Sequence, residues 1–221
     1  MGDDLKNYDD KLVYFIIFNI VVFLLVNFDF DVILKHVELL SLILTITPVL
    51  YFPIYVINNA LSEKVKFFVL FPLKYNHHFA SDIFTKLSSN EIKDDKIDVD
   101  LITKNHYPPK DFDEEDNLWY DIYWEHRYNQ KVYEHHRQFL FCRDFTMMIL
   151  PLTIFYLILT YFLKISLSHI EIIFTVSIVE FFLFWELTRF QNKKFVLVVL
   201  EEESYKLKKE NREKNEKQKN H

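Results

Sequence analysis

Four long segments rich in Phe, Ile, Leu and Val lie along the chain, separated by strongly polar stretches. They span residues 12–28, 39–57, 145–163 and 170–187. The first three contain no charged residue, whereas the fourth carries Glu171, Glu180 and Glu186. A helix needs about 20 apolar residues to cross the hydrocarbon layer of a bilayer, and these segments lack the polar face of a helix on a protein surface. The pattern therefore predicts an all-α membrane protein with four transmembrane helices.

The distribution of lysine and arginine predicts how these helices are oriented. The short loops after the first and third spans each contain one basic residue, Lys35 and Lys164. The region between spans two and three holds 12 basic residues, and the segment after span four holds 10. Basic residues stay on the cytoplasmic side of a membrane. We therefore expect a multi-pass protein of the cell inner membrane, with both termini and the long central region in the cytoplasm.

This orientation divides the chain into membrane hairpins and cytoplasmic parts. Each hairpin contains two spans, at residues 12–57 and 145–187. The cytoplasmic parts are an N-terminal segment at 1–11, a domain at 58–144 and a charged tail at 188–221. The domain is too long to be a connection without structure of its own, and we expect it to be mainly helical.

Local signals predict the helices of the cytoplasmic domain. A short helix is expected near residues 81–87, and the pair of prolines at 108–109 prevents helix there. Four consecutive acids at 113–116 suit the N-terminus of a helix, which we extend over 114–143 and towards the third span. The end of the tail, 201–221, mixes seven basic residues with six glutamates and is expected to be solvated helix or disorder.

The composition excludes several functions. The only glycine is Gly2, so phosphate-binding loops, dinucleotide-binding turns and the glycine-flanked nucleophile of hydrolases are all ruled out. Cys142 is the only cysteine, which excludes an internal disulfide and any multi-cysteine zinc site. The near balance of charges in the tail argues against direct nucleic-acid binding. We therefore expect no cofactor and no enzymatic activity.

Glu180, near the middle of the fourth span, is the strongest candidate for function inside the membrane. A carboxylate at that depth is costly, and such residues are functional candidates by default. Distances from the segment centres place Asn19, Thr47 and Thr153 in the same layer. In one interpretation Glu180 is protonated or hydrogen-bonded and fastens the helices together through Asn19. In the other it lines a proton or cation path, which would make the protein a small channel or transporter.

Histidines and aromatic residues mark the cytoplasmic region. Five residues on the predicted 114–143 helix are candidates for contact with a partner protein: Trp119, Trp124, Arg127, His135 and His136. The chain has no H-E-x-x-H, H-x-x-H-H or Glu-x-x-His pattern that would place metal ligands on one helix face, so we predict no metal site. A membrane-bound metal enzyme that uses the cytosolic histidines remains a further alternative.

In size, number of spans and cytoplasmic helical domain, the chain resembles small multi-span bacterial membrane proteins that accompany phage-defence systems, including membrane accessories of RNA-targeting CRISPR systems. The resemblance is one of layout and carries no functional residue. It implies a regulator, sensor or membrane-perturbing effector in antiviral defence that works with a cytoplasmic protein. We also expect the protein to form homo-oligomers within the lipid bilayer.

Overall fold

A computed structural model describes residues 9–27, 56, 59–72, 79–162 and 167–219. Every regular element in these residues is a helix, which confirms the predicted all-α class for this part of the chain. The α-helices are α1 (Asp9–Asn27), α2 (Glu63–Leu70), α3 (Ile83–Ser88), α4 (Val99–Asn105), α5 (Phe112–His126), α6 (Gln130–Phe162) and α7 (Leu167–Lys219). A short 3-10 helix, Phe79–Asp82, leads directly into α3 and confirms the helix expected near residues 81–87.

The long helix predicted over 114–143 is divided into two. Helix α5 ends at His126, and α6 begins at Gln130 after a tight turn. The side chain of Asn129 stabilises this turn, because its Oδ1 accepts a hydrogen bond of 2.9 Å from the backbone N–H of Lys131. Asparagine competes in this way with helix continuation, a local signal that the hydrophobic pattern does not contain. Helix α6 then continues without interruption to Phe162, past Pro151.

The predicted spans fall on helices where the structure describes them. Helix α1 covers the first span, the C-terminal half of α6 covers the third, and the start of α7 covers the fourth. The second span, 39–57, lies almost entirely outside the described residues. Among the described helices, one, at Gln130–Ile158, is long and apolar enough to cross a membrane, and Val13–Val22 is a shorter apolar helix.

The chain forms two compact units. The first unit comprises residues up to Leu70 together with Leu140–Thr188, and the second comprises Phe71–Phe139 together with residues from Arg189 onward. Helices α6 and α7 each contribute to both units.

Aromatic packing and a buried ion network hold the first unit together. Phe15 of α1 contacts the rings of Phe145 on α6 and Phe184 on α7, with centroids 4.4 and 5.5 Å away. Asp144 lies near the start of the part of α6 that belongs to the first unit. It pairs with the buried ammonium of Lys66 on α2 at 3.2 Å and with the neighbouring Arg143 at 3.0 Å. Burial lowers the pKa of Lys66, and Asp144 opposes that effect. These ion pairs tie α2 to α6 because an unpaired buried charge is strongly unfavourable.

The second unit has a hydrophobic core made by short helices packed around α7. The core residues on α3, α4 and α5 include Ile83, Ile102 and Ile122, which are fully buried. The 3-10 helix adds Ala80 and α6 adds Val132, and helix α7 contributes Phe195, Val196, Val198, Val199, Leu200 and Leu207. The first part of the predicted tail is therefore a core element, whereas α7 is exposed from Lys209 to Gln218.

Candidate functional site

A cluster of charged and imidazole side chains, the Glu203 cluster, lies in the second unit. It consists of His106, Glu125, His126, Glu203 and Lys206. Glu203 on α7 is completely buried, and both of its carboxylate oxygens are engaged. His106 Nε2 lies 2.8 Å from Oε1, and His126 Nε2 lies 2.6 Å from Oε2. One carboxylate thus joins two imidazoles from different helices.

A lysine and a second glutamate complete the cluster on the side of Oε2. The ammonium Nζ of Lys206 lies 3.5 Å from Glu203 Oε2 and 2.6 Å from Glu125 Oε2. Burial alone would raise the pKa of Glu203, but the hydrogen bonds from His126 and His106 and the nearby charge of Lys206 lower it to about 2. Glu203 is therefore ionised at neutral pH, as a metal ligand or an ion-pair partner must be.

Local structure brings the three contributing helices to this point. His106 is the residue that ends α4, which Asp98 caps at its N-terminus by accepting a 3.0 Å bond from the Leu101 N–H. His126 is the last residue of α5. The neighbours of Glu203 on α7 fix the register: Ser204 Oγ accepts from the Asp98 N–H at 2.9 Å, and Glu202 accepts from Asn129 at 2.8 Å. The side chain of Glu203 is thereby held toward His106 and His126.

The donor atoms of Glu125, His126 and Glu203 all lie within 4.8 Å of one another, so small side-chain movements would bring all three to the distance of about 2.0–2.2 Å at which zinc binds oxygen and nitrogen ligands. Carboxylate oxygen and imidazole nitrogen are ligands that zinc accepts in proteins. Within the described residues the cluster can therefore act as a salt-bridge network or as a cation site.

His106 and His126 belong to the histidines of the predicted cytoplasmic domain, whereas Glu203 is not among the residues predicted from the sequence. The ligands come from positions far apart in the chain, so no short motif joins them. A usable signal exists on α7, where the buried residues Val196, Val199, Leu200 and Leu207 follow a helical spacing that includes position 203. A glutamate on this buried face requires polar partners from neighbouring helices.

The five predicted partner-contact residues lie in different environments of the second unit. Trp119 is a core residue, stacked on Tyr123 and donating from Nε1 to the carbonyl of Val196 at 3.2 Å. His136 stacks on Phe195 with centroids 4.5 Å apart, and His135 is half-buried.

Trp124 and Arg127 lie on the surface together with two tyrosines. The guanidinium of Arg127 is 4.0 Å from the ring of Trp124 and 4.5 Å from that of Tyr128. Tyr120 packs edge-on against Trp124, with centroids 5.8 Å apart. All three aromatic side chains are exposed, at 50% for Tyr120, 45% for Trp124 and 63% for Tyr128. We call these four residues the Trp124 surface.

The predicted polar layer of the membrane spans is described in part. Asn19 and Thr153 are buried; Asn19 donates to the carbonyl oxygen of Phe15 at 3.2 Å, and Thr153 donates to that of Ile149 at 2.8 Å, each within its own helix. Glu180 is half-buried and lies close enough to Tyr156 to act on it electrostatically. Thr47 lies outside the described residues. A contact between Glu180 and Asn19 stays a prediction.

Comparison with known proteins gives no relative of this chain. No protein-family model matches it, and neither a curated protein nor a solved structure shows significant similarity.

Proposed function

We propose that the chain is a multi-pass membrane protein with four transmembrane helices and with its second unit in the cytoplasm. In this proposal it is not an enzyme. It acts as a regulator, sensor or membrane-perturbing effector together with a cytoplasmic protein, in a setting such as antiviral defence.

The observation that carries the membrane part is the location of exposed apolar side chains. On α6 and α7 they concentrate within the predicted third and fourth spans, at Leu150, Ile154, Ile158, Tyr161, Ile172, Phe174, Ile178, Val179, Phe182, Leu183 and Leu187. Contiguous apolar surface of this extent is unfavourable in water and marks contact with lipid or with another protein. The backbone there is helical, so its polar groups are paired internally, as a hydrocarbon environment demands. Lipid contact accounts for both features.

The Trp124 surface supports the second part of the proposal, a cytoplasmic protein partner. Tryptophan, tyrosine and arginine are the residues most enriched at the energetic centres of protein interfaces. Here Arg127 is already ordered between two rings, so little side-chain entropy remains to be lost on binding. These exposed aromatic side chains are therefore better suited to contact with another protein than to contact with water.

Quantitative co-purification tests the partner. The full chain is purified in detergent from its native host, and proteins that are retained stoichiometrically are measured by mass spectrometry. The double variant Trp124→Ala/Tyr128→Ala should reduce the retained partner by about tenfold or more, since each interface hot spot contributes about 2 kcal/mol. Tyr205→Ala, which removes an equally exposed tyrosine on α7, is the matched control and should change nothing. Equal retention by the wild-type chain and the double variant would refute partner binding at this surface.

A further inference from the structure

We propose that Glu125, His126 and Glu203 form a binding site for a divalent transition-metal ion, zinc being the ion that fits the ligands best. The site is independent of the membrane role proposed above.

The position of the Lys206 ammonium shows where such an ion would bind. Its Nζ lies between Glu125 Oε2 and Glu203 Oε2, at 2.6 and 3.5 Å. His126 Nε2 is 2.6 Å from the same Glu203 oxygen. The two carboxylates thus already hold a cation, and the Glu203 oxygen of that pair also contacts the imidazole of His126, so a metal ion that replaced the ammonium would meet all three side chains. Two glutamates opposite one lysine leave negative charge that a divalent ion would neutralise more completely.

Lys206 can leave this position without disturbing the core. Its side chain is 40% exposed, in contrast to the buried carboxylate of Glu203. The long, flexible lysine stem can therefore turn its ammonium into water when a metal ion binds. The metal and Lys206 compete for the same two oxygens, so removal of the lysine should strengthen metal binding.

His106 would support the site without binding the metal. Its Nε2 bonds the other oxygen of Glu203 at 2.8 Å and so fixes the direction of the carboxylate. Such outer partners orient metal ligands in many proteins. For His126 to coordinate a metal ion through Nε2, this nitrogen must carry no proton, and the ring proton resides on Nδ1. A proton that Nε2 carries before binding is released to solvent when the metal binds. With ligands on α5 and α7, the ion would link these two helices within the second unit.

Zinc titration of the full-length chain tests the site. The protein is purified in detergent with a tag that contains no histidine, stripped with EDTA and titrated with ZnCl2 in competition with a chromophoric chelator at pH 7. We expect one high-affinity zinc ion per chain. Glu125→Gln, at a side chain that is 48% exposed, should weaken zinc binding by about tenfold or more, and Glu203→Gln should weaken it to the same extent. Lys206→Gln should strengthen binding by about threefold, because it removes the competing ion pair.

Glu202→Gln is the matched control, since Glu202 is the neighbour of Glu203 but bonds Asn129 and Lys131 instead. It should bind zinc as the wild-type chain does. Because Glu203→Gln can also disturb folding, the Glu125→Gln and Lys206→Gln variants decide the question. Zinc affinity that is unchanged by Glu125→Gln, or weakened by Lys206→Gln, would overturn the proposal and leave a salt-bridge network. Zinc should also raise the melting temperature of the wild-type chain and not of Glu125→Gln.

Discussion

Glu203 shows how much one buried side chain can organise. It lies on α7 among the buried apolar residues Val199, Leu200 and Leu207, yet it is ionised because two imidazoles and an ammonium surround it. Removing one partner of a buried charged network costs about 3–5 kcal/mol, whereas exposed charges of the same helix contribute little. The exposed glutamates of α7, Glu210, Glu213 and Glu216, thus contribute little to stability, whereas Glu203 contributes much.

The ionisation of Glu203 predicts a specific dependence of stability on pH. Since the native state lowers the pKa of Glu203 to about 2, the native carboxylate binds fewer protons than the unfolded one between that value and the ordinary range. Its contribution is therefore complete above the ordinary pKa of a glutamate, about 4.3, and is lost as pH falls toward 2. The titratable and charged groups around Glu203 are His106 at the C-terminus of α4, Glu125 and His126 on α5, and Lys206 on α7 itself.

Denaturant unfolding of the second unit measures this effect. Trp119 is buried in that unit, so a chain with Trp124→Phe and Trp185→Phe reports its unfolding by fluorescence. In EDTA at pH 7, Glu203→Gln should lower the free energy of unfolding by about 3 kcal/mol. The difference from the parent chain should shrink as the pH falls from 5 to 3. A difference that stays constant over this range would contradict the assignment, and Glu202→Gln again serves as the control.

At the scale of elements, helix α3 depends on a residue from another helix. Asp82, at the N-cap position just before α3, makes no side-chain cap, and the buried carboxylate of Glu115 on α5 takes that role. Glu115 Oε2 accepts from the N–H groups of Phe84 at 2.9 Å and Thr85 at 3.3 Å. A helix of six residues is too short to be stable by itself, so this cap and the burial of Ile83 and Phe84 hold it in place.

Loss of this cap should open α3 selectively. Glu115→Ala leaves two N–H groups without their acceptor and should destabilise α3 by about 2 kcal/mol. We expect amide hydrogen exchange in residues 83–88 to accelerate by about 30-fold at neutral pH, as measured by mass spectrometry. Asn117→Ala, at an exposed position of α5, is the control. Unchanged protection of residues 83–88 in Glu115→Ala would show that burial alone maintains the helix.

The elements also show what the sequence could and could not predict. The short helix near 81–87 and the break at Pro108–Pro109 follow from local residues, and the structure confirms both. The hydrophobic pattern does not indicate the turn at Asn129, because the apolar periodicity continues across it and predicts a single helix. The spacing on α7 marks position 203 as buried, but the partners of Glu203 and the cap supplied by Glu115 arise from contacts between distant segments, which neither propensity nor spacing encodes.

At the scale of the whole molecule, the two compact units differ in the character of their surfaces. In the first unit, the exposed side chains on α6 and α7 are mainly aliphatic and aromatic, as at Ile154, Phe182 and Leu183, with Glu171, Thr175 and Glu186 as exposed polar residues of α7. In the second, the exposed residues of α7 are mainly charged, and exposed aromatic residues include the Trp124 surface. This contrast is the basis for proposing that the predicted spans of the first unit lie in lipid and that the second unit lies in the cytoplasm.

Labelling of single cysteines tests this central claim most directly. In a Cys142→Ser background, Lys35→Cys places a thiol in the predicted external loop and Asn211→Cys places one on the exposed end of α7. In intact spheroplasts a membrane-impermeant maleimide should label Lys35→Cys, and it should label Asn211→Cys only after permeabilisation. Equal labelling of both positions in intact spheroplasts, or recovery of the chain in the soluble fraction, would contradict a membrane protein with a cytoplasmic second unit.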